Sequence, residues 1–321
     1  MKVFSMKPSD KTGALPFVLA GLFLVFLSFL CNQMYLQWQA PAKPSIPSDT
    51  EILILGDSHA SYALDPELIG KAYNFSGYSE SYVHNYYKLK YALKQNLSLR
   101  AVILPIDLHS FSDFRQERVF FNPQWLPFID YLEVGWIKNR FLPYLVKYLN
   151  LRLFAFRGKY SLLFKLFSKT GSASAANPEM VSGYSPQNKY ILFRRDRQIQ
   201  RAKNRAARQL RGFDPFSKEM AVFFKMILAE CARNKLHVVL LKLPVSEVYY
   251  DEARRLIDIR QLYERMLALA RPYRNVQFLD FQKLLFKNGA GFFSDSQHVN
   301  KTGAEKISRL VGKSLGGLRK R

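Results

Sequence analysis

From Ala14 to Cys31 the chain carries no charge and is rich in Leu, Phe and Val. Met34, Tyr35, Leu36 and Trp38 prolong this apolar stretch past two polar residues. Its length predicts a helix able to span a bilayer. Gln39 to Asp49, with Pro41, Pro44 and Pro47, reads as a stiff linker. Beyond it the pattern changes, and short apolar runs bounded by turn residues alternate with stretches at helical spacing. Glu51–Leu55, Ala72–Phe75, Ala101–Ile106, His237–Leu243 and Val276–Phe281 are predicted strands. Predicted helices are Asp65–Ile69, Ser81–Lys94, Pro215–Asn234, Asp258–Ala270 and Gly303–Leu315. Continuous apolar runs suit strands buried on both faces. Their alternation with helices implies an α/β fold with a mostly parallel sheet, covered on both sides.

The rhythm breaks between about residues 111 and 213, which are rich in aromatic and basic residues and lack a clear strand. That segment reads as an insertion capping the sheet. Within it, Leu142–Lys169 mixes Leu, Phe and Tyr with Lys147, Arg152, Arg157, Lys159, Lys165 and Lys169. Such a mixture suits a helical pair on a membrane surface or membrane partner, and equally a cap with its lysines in water. Gly171–Asn177 reads as a mobile loop. Arg194 to Arg211 is predicted helical, with Arg194, Arg197, Arg201, Arg205 and Arg208 on one face and Ile199, Ala202, Ala206 and Leu210 on another. The arginine stripe is a candidate polyanion-binding face, or simply a solvated one. The expected organisation is therefore an anchor over 1–38, a linker over 39–49, and one domain over 50–321 with its insertion at about 111–213.

Composition narrows the setting. A hydrophobic content of 48% and an aromatic content of 15% argue against disorder in a chain of 321 residues. The two cysteines, Cys31 and Cys231, form no disulfide framework, and nothing has zinc-ligand spacing. A formal net charge of +23 raises nucleic acid as a partner. Topology argues against it: Lys2, Lys7 and Lys11 precede the span and only Lys43 follows closely, so the N-terminus is expected in the cytoplasm. The main domain then faces the periplasm or cell surface of a bacterial membrane, where basic surfaces meet anionic lipid and anionic glycopolymers. A cleaved signal peptide with a site at Ala40-Pro41-Ala42 competes, but the apolar run is long and that site distant.

Two segments carry candidate chemistry. Ile52-Leu53-Ile54-Leu55-Gly56-Asp57-Ser58-His59 presents a serine where a predicted strand turns, at the carboxyl end where open α/β sheets gather ligands. Phe293-Ser294-Asp295-Ser296-Gln297-His298-Val299-Asn300 supplies a histidine and a carboxylate three residues apart. Ser58, His298 and Asp295 are the residue types of a nucleophile, its base and the base's orienting group. The Ser58 N–H is the first candidate oxyanion donor. A helix N-cap also explains Ser58, and a plain loop histidine also explains His298. His59 reads as a rim or packing residue, and His84 and His237 as structural. Asp57, His59 and His109 lack metal-ligand spacing, and no metal or cofactor is expected.

At these residues the chain resembles the SGNH (GDSL-type) hydrolase superfamily. Gly56-Asp57-Ser58 resembles its first block and Asp295-x-x-His298 its last. The resemblance covers about residues 51–110 and 215–315. It implies a flavodoxin-like three-layer α/β/α fold and places the second-block oxyanion glycine at Gly77. The third-block Asn is absent: Leu104-Pro105-Ile106-Asp107-Leu108-His109 puts Asp107 in its place, leaving His109 or a backbone N–H as substitute. This pattern, with the anchor, is similar to membrane-anchored proteins of teichoic acid D-alanylation and of alginate and peptidoglycan O-acetylation. It implies a serine esterase or acyltransferase working beside a multi-pass membrane-bound O-acyltransferase on a cell-envelope polysaccharide. The rival expectation is a catalytically degenerate partner protein of the same fold.

Overall fold

Ile52–Ile54 (β1) lies inside a five-stranded sheet, between two neighbouring strands, and its three residues are all buried. The computed structural model describes residues 14–39, 45–95, 98–116, 129–154, 183–189, 196–210, 214–286 and 291–316. Around β1 run Ala72–Asn74 (β2), Ala101–Pro105 (β3), His237–Lys242 (β4) and Val276–Asp280 (β5). Their order is β2-β1-β3-β4-β5, and every pairing is parallel. This is the flavodoxin-like order, whose chain direction reverses between β1 and β3 and leaves a crevice at their carboxyl ends.

The strand side chains alternate between two cores. Ile52, Ile54, Ile103, Val239 and Leu241 face a cluster completed by Ala304, Ile307, Val311 and Leu315 of Lys301–Gly316, the last helix. Ser58–Ala63 (α2) and Pro66–Ile69 (α3) pack with that helix. Tyr82–Leu93 (α4) packs on Lys218–Arg233, which carries Met220, Phe223, Phe224, Ile227, Leu228 and Cys231 as buried residues and touches β4 and Ile259–Ala270. Helices thus cover both sides of the sheet, giving three α/β/α layers.

In chain order the remaining helices are Asp113–Gln116 (α5), Tyr131–Ile137 (α6), Phe141–Phe154 (α7) and Asp196–Leu210 (α8). Lys218–Arg233 is then α9, Glu247–Leu256 α10, Ile259–Ala270 α11 and Lys301–Gly316 α12. Helix α1 is Ala14–Gln39, and its stretch Leu15–Met34 is long and apolar enough to cross a membrane, as a single-pass anchor or a signal sequence would be. The chain divides into two compact units, Met1–Ala42 with Asp130–Ser172 and Lys43–Ile129 with Ala173–Arg321. Two of its breaks fall inside the expected insertion and the third, after Ala42, in the expected linker.

Among the described residues four helices were not foreseen: α5 and α6, in the expected insertion, and α2 and α10. Helix α2 starts directly on the Ser58 turn, and its sequence SHASYA has little apolar content. Helix α10 buries only Tyr249 and Ala253. These last two are set by tertiary contacts more than by their own pattern. Lys2, Lys7, Lys11, Ala40-Pro41-Ala42, Gly171–Asn177, Arg194 and the part of Leu142–Lys169 beyond Phe154 lie outside the described residues.

Gly56 has φ +131°, and a Cβ there would sit 2.9 Å from Ala60 Cβ and 3.0 Å from Pro105 Cγ. Glycine is thus required twice over, by backbone and by space. Gly56→Ala is expected to cost roughly 2–4 kcal/mol, read as a lowered midpoint in chemical denaturation; an unchanged midpoint would show that the turn relaxes freely.

Candidate active site

The serine turn is shaped by its neighbours. Beyond β1, the Gly56 N–H donates to Asn85 Oδ1 at 3.1 Å. Asp57 is the N-cap of α2, its side chain accepting the His59 N–H at 2.8 Å. Capping therefore falls to Asp57, and Ser58 takes the first helical position. Ser58 and Tyr62, one turn apart, share a face. A serine at that position has an N–H with no acceptor inside the helix.

The histidine turn comes from the opposite end of the chain. An antiparallel bridge joins Phe293 to Val299, and the Ser294 N–H donates to the His298 carbonyl at 2.9 Å. The Ser246 N–H, after β4, donates to the Ser296 carbonyl at 3.0 Å and ties this turn to the sheet. Asp295 Oδ1 accepts the N–H groups of Gln297 at 2.8 Å and His298 at 2.9 Å, which fixes its rotamer. Asp295 Oδ2 lies 2.9 Å from His298 Nδ1, and His298 Nε2 lies 2.9 Å from Ser58 Oγ. With Nδ1 protonated toward the carboxylate, Nε2 is left as the acceptor for the serine hydroxyl. Ser58 and His298 are partly exposed, so the hydroxyl is open to a substrate.

The electrostatics keep this imidazole neutral. Burial lowers the His298 pKa below the ordinary 6.5; Asp295 opposes this, while charge on His59 and Arg205 adds to it. Burial alone would raise Asp295, but its bond with His298 and the Arg205 guanidinium hold it below the usual carboxylate range. Arg205 is a member of the expected polyanion stripe. The structure places it on Asp295, while Arg197, Arg201 and Arg208 of the same helix stay exposed.

The remaining expected oxyanion groups are placed differently. The Gly77 N–H points at the Gly56 carbonyl, 3.4 Å away, a long bond that leaves it beside the serine turn. Asp107 Oδ1 accepts the Leu243 N–H at 3.3 Å, and its Oδ2 lies 3.3 Å from His59 Nδ1, off the line of a hydrogen bond. His109 turns its Nε2 to Asp57 Oδ2 at 2.9 Å, away from Ser58. Neither Asp107 nor His109 offers Ser58 a side-chain donor.

Beneath the serine lies a buried polar cluster that motif reading did not reveal. Asp57 is also bonded by Arg115, which touches His109 as well. The His59 ring packs 4.6 Å from His109 and 5.0 Å from His298, centroid to centroid. Burial would raise the Asp57 pKa, but Arg115, then His59 and His109, hold it well below its usual range. Burial and the Arg115 cation push His109 down to about 4. Burial also disfavours a proton on His59, yet the Asp107 and Asp57 carboxylates outweigh it and raise its pKa. Asp57, His59 and His109 bring their ligand atoms within 4.8 Å of one another. The Arg115 guanidinium stands between Asp57 and His109, so the positive charge this cluster needs is already supplied by the protein.

A second buried pair shapes the loop that carries Gly77. Lys88 donates to the Phe75 carbonyl and to Glu80, joining the two ends of that loop. Burial pushes Glu80 up to about 7, against the pull of Lys88. At the rim, Tyr62 stacks edge-on to His298 at 4.6 Å and lies 5.4 Å from the exposed Tyr78. His84 bonds the Ser81 N–H at the start of α4, and His237 Nε2 lies 3.3 Å from Gln277 Oε1.

No family model and no curated protein matches the chain. Among solved structures, a Streptococcus pneumonia chain described provisionally as a platelet activating factor aligns with 96% of this chain and 99% of that one. The identity is 15% and the TM-score 0.37. Function is therefore argued from the site's own geometry.

Arg115→Met leaves the buried Asp57 carboxylate without its strongest partner and is expected to destabilise the protein by about 3–5 kcal/mol. Chemical denaturation measures this, and a loss below about 1 kcal/mol would mean the cluster is not held by that charge. Arg205→Gln removes a charge that lowers the His298 pKa, so the imidazole should titrate at higher pH in the variant. Histidine NMR titration reads the shift directly, and coincident midpoints would show that Arg205 does not act on the imidazole.

Proposed function

We propose that this protein is a membrane-anchored, extracytoplasmic serine esterase or O-acyltransferase of SGNH type, acting on O-acyl groups of a cell-envelope polysaccharide. The observation that carries the reading is the hydrogen-bond chain from Ser58 Oγ through His298 to Asp295, closed across 240 positions of sequence. A serine hydroxyl needs a neutral base in reach and a group that orients the base, and both are in contact here.

In the proposed reaction His298 Nε2 takes the Ser58 proton as Oγ attacks the acyl carbonyl. Asp295 steadies the imidazolium that forms, and the Ser58 N–H holds the oxyanion, joined by the Gly77 N–H as it gives up its long bond to the Gly56 carbonyl. Collapse releases the first alcohol, which takes the proton from His298, and leaves an acyl-Ser58 ester. A glycan hydroxyl or water, deprotonated by the same imidazole, then attacks that ester and frees Ser58. The exposed Arg197, Arg201 and Arg208 beside the site support an anionic polymer as acceptor. A transmembrane α1, an N-terminus in the cytoplasm and a multi-pass membrane-bound O-acyltransferase as acyl donor belong to the same proposal.

One observation favours a second reading, a catalytically degenerate partner protein of the same fold. Asp107 holds a carboxylate where the resemblance calls for an amide, and no side-chain donor replaces it at Ser58 among the described residues. A fluorophosphonate probe separates the two readings. Wild type is expected to label covalently, and Ser58→Ala to lose labelling at least about 100-fold. Equal labelling of the two, or none of wild type, would reject the enzyme in favour of the partner protein.

A further inference from the structure

Helices α6 and α7 make a hairpin with one packed side and one bare side. Tyr131, Val134 and Gly135 of α6 and Tyr144 of α7 are buried. A Cβ on Gly135 would lie 2.7 Å from Tyr144 Cβ and 3.3 Å from Phe141 Cα, so the two helices approach as closely as glycine permits. Lys138, in the connecting turn, folds over the Tyr144 ring at 5.3 Å. The other side presents Leu132, Trp136, Phe141, Leu142, Val146 and Leu149, with Trp136 77% and Leu142 66% exposed. Large contiguous apolar surface of this kind marks an interaction site in a folded protein.

The surface belongs to the same compact unit as α1, and α7 packs on α1. The covered positions of α1 are Ser28, Cys31, Asn32 and Gln33, all toward its C-terminal end, whereas Leu15 to Leu27 is exposed. The bare apolar side of the hairpin and the uncovered stretch of α1 thus belong to one compact unit, joined where α7 packs on α1. A bilayer that receives α1 meets α7 at the level of that end. The charges agree with a lipid surface: α7 contains no Asp or Glu, and Arg140 and Lys147 are exposed beside the apolar patch. With 14 residues, α7 reaches about 21 Å and is too short to span the hydrocarbon layer.

We propose that the α6–α7 hairpin is a second membrane-contact element, lying in the interface of the leaflet that holds the C-terminal end of α1. Trp136, Leu142, Val146 and Leu149 enter the acyl-chain boundary, and Arg140 and Lys147 meet anionic headgroups. This assignment rests on the proposed insertion of α1 in the membrane and not on the chemistry at Ser58.

The test uses the full chain with Trp38→Phe and Trp125→Phe, so that Trp136 is the sole tryptophan, reconstituted into phosphatidylcholine–phosphatidylglycerol vesicles. Acyl-chain-brominated phospholipid is expected to remove about half or more of the Trp136 emission, while aqueous iodide removes little. The same chain with Trp136→Phe and Val146→Trp repeats the measurement on α7 itself. Quenching by iodide and not by brominated lipid would mean the patch stands in water, and shielding from both would mean a protein covers it. Either result overturns the proposal.

Discussion

Asp57 is a carboxylate removed from water, and a buried charge persists only where it is paired and hydrogen-bonded. Arg115 supplies the charge, His109 a ring nitrogen, and the His59 amide the cap of α2. The same side chain thus starts the helix on which Ser58 stands and ties it to the segment following β3. Gly56 makes the sharp exit from β1, and Asp57 keeps the residues after it in place. The position of Ser58 is a by-product of satisfying this one acid.

The imidazole is held in the same manner, between opposing influences. Asp295 favours its protonated form, while burial and the charges of His59 and Arg205 oppose it. A base needs a pKa low enough to be free and high enough to take a proton. Arg205 serves this balance from outside the turn, sharing Asp295 Oδ2 with His298.

Much of this was legible in the sequence, and for definable reasons. The five strands read correctly because apolar runs between turn residues have few other uses, and their ends moved by at most one residue. Ser58, Asp295 and His298 stood out because each lies in a short segment whose spacing has a chemical meaning. Arg115, Glu80 and Lys88 did not, since a buried ion pair is identified by its partner and the partner is set by packing. Arg205 was visible only as one of a stripe, and its periodicity gave no sign that one member would turn inward. Helix α2 was hidden for a related reason: its start is dictated by a cap, not by an apolar face.

The turn bearing Asp295 and His298 has a bearing on how the molecule comes into being. In a chain made from the N-terminus, the alcohol of Ser58 leaves the ribosome long before its imidazole, and the helix that backs the imidazole turn, α12, follows later still. Contacts so distant along the chain form late, because a long loop must close first. A nascent chain therefore carries Ser58 without its imidazole partner until the turn bearing Asp295 and His298 has been made.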